Sequence, residues 1–426
     1  MWKHHSYLIA GVSCLAGSAL LPAVAAEGMD TSVLQALDLA DNTVFEKAEN
    51  SALSLFTEAA TVINEAGSNV QRLSLDLRLD TQLFPSGSDK VRFVLSNRTD
   101  SRFFGALGHN GNVNVLREAY ISYKMSSVTI VDAGRINTRY GVALGYNPTD
   151  FLGRNTVRSA ISADPESLRT NRLGNVMIRL QQFWDKAAVT AIISPKLGDK
   201  PNKAAFSPDW GASNPEDRLL LSASYKFGDN FNPQAIYYHE AGSQPQFGLN
   251  VSRVLSRSVL MYTEWAGGRQ PLAWQKALPE NQQETRWRNR AAIGTTWTSD
   301  NQLTLRLEGH YNGSADNKKA ADQLSRIPPS VLNPADLTNK MPDIMASRKS
   351  VLFQVYQKDI IDNYDVNLIL QRDLQQHKNM GFAEIRRHFG SADVAVQWQK
   401  TYALKENDGF DVRPEQRWQL SVNYYF

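Results

Sequence analysis

From residue 72 onward the chain alternates apolar and polar residues in run after run, and this period of two is its strongest constraint. Leu73, Leu75, Leu77 and Leu79 interleave with Ser74, Asp76, Arg78 and Asp80. Leu303, Leu305, Leu307 and Tyr311 interleave with Thr304, Arg306, Glu308 and His310. Ala291, Ile293, Thr295 and Trp297 face away from Arg288, Arg290, Ala292 and Thr296, and Val394, Val396 and Trp398 oppose Asp393, Ala395, Gln397 and Gln399. A strand turns successive side chains to opposite faces, so each run has one apolar and one polar side. One or two such strands suit a solvated sheet. A dozen or more, each about ten residues long, point to a closed antiparallel barrel across a membrane, with lipid on the apolar side and a lumen on the polar side.

Composition fits this reading. After the N-terminal segment there is no run of 18 apolar residues, which excludes helical membrane spans. The mean hydropathy of −0.39 is no objection, because only every second strand residue of a barrel meets lipid. Fifteen Tyr, nine Trp and seventeen Phe suit interfacial aromatic belts. A formal charge of +3 leaves no footprint for nucleic acid.

Connections alternate in length. Tight turns fall at Met125–Ser127, Trp184–Lys186, Gly228–Asn230, Ser256–Arg257, Ser299–Asn301, Asp359–Asn363 and Gly390. Longer loops fall between them, at 139–173, 196–217, 241–246, 267–285, 313–349, 374–380 and 403–415. In outer-membrane barrels the short turns are periplasmic and the long loops extracellular. About seventeen strands can be counted, starting near residue 72. Bacterial single-chain barrels have even numbers, so the expectation is 16–18 strands, with 18 favoured. Either a strand precedes residue 72, or the N-terminal segment crosses through the lumen.

Three regions follow: 1–26, 27–70 and a barrel over 71–426. Residues 1–26 read as a secretory signal peptide, with Lys3, an apolar run from Tyr7 to Leu21, and Ala23-Val24-Ala25 as a cleavage site. Its loss removes Cys14 and takes the formal charge from +3 to +2, leaving no thiol chemistry. In 27–70, Phe45, Ala48, Ala52, Leu55, Ala59, Val62 and Ala66 recur at spacings of 3 and 4. That predicts a helix over 43–66, lodged in the barrel as a plug, forming an oligomer contact, or resting at the periplasmic mouth.

The last strand, Arg417 to Phe426, sets Trp418, Leu420, Val422, Tyr424 and Phe426 on one side. It resembles the closing strand of bacterial outer-membrane barrels, whose signature is a terminal Phe. The resemblance implies that Tyr424 and Phe426 are read by the barrel-assembly machinery, with outer-membrane lipid as the surrounding partner. A second resemblance lies in Leu116-Arg117-Glu118-Ala119-Tyr120, Asp132-Ala133-Gly134-Arg135-Ile136-Asn137 and Gly145-Tyr146-Asn147-Pro148-Thr149-Asp150-Phe151. This text is similar to porin-like barrels of the alginate-export kind. The following Asn-Pro-Thr-Asp departs from those exporters, so export of that polymer is not implied. If Asp132 points inward, Arg135 faces lipid unless Gly134 forms a bulge that turns it inward or the side chain snorkels at the rim.

Candidate functional residues fall in two sets. The lumen rows carry Asp76, Arg78, Asp80, Arg92, Arg179, Arg288, Arg290, Arg306, Glu308, His310, Asp365 and Arg417. Arginine outnumbers acid there, which favours anions or acidic sugars, unless the charges simply pair across strands. The 139–173 loop carries Asp150, Arg154, Arg158, Asp164, Glu166, Arg169 and Arg172. Folded inward it would form a constriction whose opposed charges select solutes. The expected function is therefore a channel for passive diffusion or export of small anionic or oligosaccharide solutes, with no cofactor or metal. A plugged transporter for hydrophobic solutes and a lipid-modifying barrel enzyme are the alternatives. For the enzyme, His310 with Ser314 is the nearest Ser/His pair, and it lacks a motif.

Overall fold

The computed structural model describes residues 52–65, 69–83, 90–104, 109–154, 156–157, 161–198, 204, 206–228, 230–273, 275, 282–315, 348–375, 378–403 and 415–426. The signal-peptide segment and residues 27–51 lie outside the described residues, as do Arg158 and most of the 313–349 and 403–415 loops.

Eighteen antiparallel strands close into one barrel. They are β1 (Leu53–Asn64), β2 (Val70–Gln82), β3 (Val91–Phe104), β4 (His109–Lys124), β5 (Thr129–Ile136) and β6 (Asn175–Phe183). Next come β7 (Ala187–Ser194), β8 (Arg218–Tyr225), β9 (Gln234–Glu240), β10 (Gln246–Ser256), β11 (Val259–Gln270) and β12 (Arg286–Thr298). The wall ends with β13 (Leu303–Asn312), β14 (Lys349–Gln357), β15 (Tyr364–Asp373), β16 (Lys378–Phe389), β17 (Ala392–Ala403) and β18 (Glu415–Tyr425). Each strand pairs with its neighbour in sequence, and β18 returns to β1 with Ala59 opposite Val422 and Asn64 opposite Arg417. Closure leaves no strand edge with unpaired backbone groups in lipid.

The burial pattern is inside out relative to a soluble protein. Leu73, Leu75, Leu307, Leu420, Val422 and Phe426 are exposed, whereas Asp100, Glu264 and Glu308 are fully buried. The last strand keeps its alternation, with Trp418, Leu420, Val422 and Tyr424 outward and Gln419, Ser421 and Asn423 buried inside. The sequence-predicted tight turns share one end of the barrel and the long loops the other. The molecule is thus an outer-membrane barrel, its short turns on the periplasmic side.

The predicted 43–66 helix is corrected for its described part, because residues 53–64 are strand β1. β1 supplies the strand missing from the sequence count. Ala52, Leu55, Ala59 and Val62 satisfy a helical spacing, but alanine fits either period. Thr57, Thr61, Val62 and Ile63 are β-branched and suit a strand. Hydrogen bonding to β18 on one side and β2 on the other decides the matter. The described residues of this segment therefore form barrel wall rather than a helical plug or seam, and the barrel begins before residue 71.

Candidate functional site

The connection between β5 and β6 does not stay at the surface. After Ile136 it turns into the lumen, where the backbone N–H groups of Val142 and Ala143 donate to Glu264 Oε1 at 2.6 Å each. The next two, Leu144 and Gly145, donate to Glu308 at 2.7 and 2.8 Å. Four consecutive donors are thus held by two carboxylates from β11 and β13 on the far wall. Hydrogen bonds to a charged acceptor are about twice as strong as neutral ones, and each contributes more where water is excluded. Gly141, at φ +78°, makes the approach possible, since a Cβ there would collide with the Glu264 carboxylate.

The loop then braces itself. Asp164 caps a short helix, α1 (Pro165–Thr170), by accepting from the Glu166 N–H. Arg169 donates to the carbonyls of Gly141 and Ala143, and Arg139 pairs with buried Glu166 at 3.2 Å. Arg172 holds Asp150 through both guanidinium nitrogens and also donates to Asn137 and to the Thr138 carbonyl. Burial, with Glu166 and Glu384 adding to it, pushes the Asp164 carboxyl up to about 7. Arg154 reaches Glu240 of β9 at 3.2 Å. The loop charges named from the sequence and described here therefore lie within the lumen, mostly in ion pairs and backbone contacts.

Apart from Glu308 and His310, the predicted lumen rows divide into three groups. On β1–β4, Asp76 belongs to a buried network with Glu58, Arg72, Arg98, Asp100 and Arg117. Near the short-turn end Asp80 pairs with Arg92, and Arg78 bridges to Glu118 at 3.0 Å. Arg179 pairs with Asp132 at 2.8 Å. Asp365 accepts from His388 at 3.0 Å near the same end. The third group has no carboxylate partner among the described residues. Arg288 donates to the Gln270 carbonyl, Arg290 to the Gln246 side chain, Arg306 to the Thr296 hydroxyl and Arg417 to the Gln419 side chain.

Glu308 and His310 anchor the loop. Glu308 accepts from His310 Nε2 at 2.9 Å and from the Tyr262 hydroxyl, and His310 Nδ1 lies 3.0 Å from Ser350 Oγ. Ser350, His310 and Glu308 thus run in the order of a hydrolytic relay. The backbone donors nearest it, Leu144 and Gly145, are already engaged by Glu308, so they cannot stabilise an oxyanion. The Ser/His pair named from sequence is not formed, because Ser314 donates to Gln270 instead.

Arg135 is placed differently from either expectation. Gly134 stays in register opposite Tyr120 and forms no bulge. The irregularity lies between Ser96 and Asn97, opposite Glu118 and Leu116, and it turns Arg117 inward to Asp76. Arg135 keeps the outward parity but is fully buried, because the β7–β8 loop folds over it. The Asp209 carbonyl accepts from it at 2.7 Å and the Trp210 ring lies 5.0 Å away. Glu264, Glu58, Arg72, Arg98 and Arg117 were missed from the sequence. Glu58 was hidden by the helical reading and Arg117 by the bulge. Glu264 sits two residues before Ala266-Gly267-Gly268, where the alternation is hard to follow.

On the long-loop side of the lumen loop lies a cavity of about 590 Å³ between it and the upper parts of β9–β17. Phe151 stacks on Tyr238 at 4.9 Å along one wall, and Arg290 stands 5.5 Å over the Phe151 ring.

A closed 18-stranded barrel with a lipid-facing apolar band, a charged lumen and an inward-folded loop defines the class: a porin-like barrel of the Gram-negative outer membrane. No protein family and no curated protein matches the sequence. Among solved structures the chain is similar to Pseudomonas aeruginosa OccK5 (OpdH), at 11% identity and a TM-score of 0.53, covering 88% of this chain and 97% of that one. It is similar to Pseudomonas aeruginosa OpdL at 12% identity and a TM-score of 0.53, covering 88% and 98%. Acinetobacter baumannii OccAB1 gives 12% and 0.52, covering 89% and 99%. At such identities the likeness establishes the fold. These are not barrels of the alginate-export kind, and the narrower resemblance drawn from residues 116–151 is not supported.

Proposed function

We propose that the chain is a passive outer-membrane channel for small solutes, biased toward anionic and acceptor-rich ones such as acidic sugars, and narrowed by the β5–β6 loop. The observation that carries this is the polarity of the unmet hydrogen bonding around the cavity. Asn147 Nδ2, Arg154 Nε, Gln270 Nε2 and Arg290 Nε are buried donors without a partner. Of the acids lining the cavity, Asp150 and Glu240 are engaged by Arg172, Arg154 and Arg218, and Asp373 accepts from the Gln375 N–H. A buried donor left unmet costs about 1–3 kcal/mol, which an acceptor would recover on reaching one of these atoms through a shift of the side chains that cover it. Arg288, Arg290 and Arg306 add positive charge and donate to neutral acceptors, with Glu308 near enough to Arg306 to offset part of its charge. In a narrow pore between low-dielectric walls, a few such charges decide which ions enter.

Recording in planar bilayers tests the reading. The wild-type pore is expected to prefer anions, and changing Arg288, Arg290 and Arg306 to Ala should move the reversal potential toward cations. The shift should fade at 1 M salt, where screening acts over about 3 Å. A wild-type pore that conducts cations as well as anions would show that these arginines only support the wall.

A further inference from the structure

Among the described strand residues at the long-loop end, the outer surface carries exposed charge in one sector only. Along β11–β17 the outward positions near the long-loop end hold Arg269, Lys349, Arg372 and Lys400. The first three are exposed and Lys400 is half-buried. None of the outward positions described on these strands holds Asp or Glu. At the same end of β1–β10 the outward positions are Ile63, Gln71, Ser101, Asn112, Val176, Ile193, Leu219, His239 and Phe247, with Arg135 already covered by Trp210.

These cations sit where the apolar band ends. Arg269 is opposite Trp287, and Lys349 is opposite Tyr311. Arg372 is opposite Val351, so it lies diagonally beside Lys349, a separation of about 7–8 Å that two long side chains easily share. Lys400 is opposite Gly381 and follows Trp398, whose ring lies over Gly381, 3.3 Å from where a Cβ would stand. At Gly267 the Trp265 and Trp287 rings cover the glycine in the same way, just below Arg269. Interfacial Trp and Tyr mark headgroup level, so a cation one step beyond them lies among the headgroups. A lone snorkelling lysine would need no explanation. Four cations in one sector, bordered by rings and with no acid at the described outward strand positions, make a surface complementary to phosphate.

We infer that the upper outer face of β11–β17 is a docking surface for a phosphate-bearing glycolipid of the outer leaflet. The phosphates engage Arg269, Lys349, Arg372 and Lys400, and the acyl chains lie on the apolar band below. Guanidinium and ammonium both match phosphate oxygens, the former through a fork. The surface lies outside the lumen and is independent of the channel reading.

The test uses the full chain in detergent and two probes, diphosphoryl lipid A and the same lipid stripped enzymatically of phosphate. The wild type is expected to bind the phosphorylated form at least about tenfold more tightly, in line with the known contribution of each cation near a charged surface. The combined variant R269Q/K349Q/R372Q/K400Q should lose that preference. A control variant, R253Q/R387Q, which removes outward cations at the other end, should keep it. Inorganic phosphate at matched concentration should not displace the lipid. Equal binding of the two lipids by the wild type would overturn the inference, and that arm stands even if the fourfold variant fails to fold. Retention of the preference in a folded fourfold variant, its loss in the control, or displacement by free phosphate would each overturn it too.

Discussion

Two walls of the lumen carry the same residue types and use them in opposite ways. On β1–β4 every buried charge has an opposite neighbour. Glu58 accepts from Arg72 at 2.6 Å and Arg98 at 2.8 Å, Arg98 also holds Asp100 at 2.8 Å, and Arg117 holds Asp76. On β11–β13 the acids Glu264 and Glu308 are occupied by loop backbone, while Arg288, Arg290 and Arg306 rest on neutral acceptors. The first wall is neutral and packed. The second spends its negative charge on positioning the loop and leaves its positive charge toward the lumen. Counting lumen arginines therefore says little about selectivity until each one's partner is known.

The largest expected effect comes from breaking the neutral wall. Arg98→Ala leaves Glu58 and Asp100 buried with a lost partner, and removal of one member of a buried ion pair costs about 3–5 kcal/mol. Urea unfolding from lipid vesicles should show a loss of that order, with the reversal potential unchanged. A loss below about 1 kcal/mol would mean the network is solvated like a surface pair and the contrast between the walls is false.

Next comes the loop. Glu308→Gln replaces an ionic acceptor of two backbone N–H groups with a neutral one, where a hydrogen bond to a charged group contributes about 1.5–3 kcal/mol, and Glu264→Gln swaps the other carboxyl acceptor for an amide. The double variant should show a higher and noisier single-channel conductance at little cost to the barrel, because the strands keep their ladders. Gly141→Ala should act in the same direction, since its Cβ would meet the Glu264 carboxylate. Unchanged conductance in all of these would show that the loop is held by Arg169 and Arg172 alone.

What the sequence revealed follows from the same physics. Alternation fixes which face a residue takes, so Leu73 outward and Glu308 inward were legible, as were the strand starts near 174, 187, 246, 286 and 364. It was silent where a residue fits two periods, which is how the alanines of β1 concealed the eighteenth strand. It was also silent on partners. Arg98 meets Glu58 across 40 positions, and Arg117 meets Asp76 across 41, because β2 lies between β1 and β3 so that their inward side chains reach over it, and a bulge rotates Arg117. The loop's inward fold was legible as a charged insertion. Its anchor Glu264 was not, since a lone carboxylate on a strand reads the same whether it faces water or two backbone donors.

The smallest effect is expected at the short-turn rim, and it tests what separates the walls. Asp80 pairs with Arg92 there, with side chains 27% and 24% exposed, and Arg78, 42% exposed, bridges Asp80 and Glu118. This group has the composition of the buried network but access to water. Solvent can replace a missing partner, so Asp80→Asn should cost no more than about 1 kcal/mol, and the cost should shrink as salt is added. Arg78 keeps Glu118 in the variant, and Arg92, which loses its carboxylate, is exposed enough for water to take that place. Exposure, rather than the number of charges, would then explain why one cluster is structural and another tolerant. If Asp80→Asn destabilises the barrel as much as Arg98→Ala, water access does not decide the matter, and the two walls must differ through strand register instead.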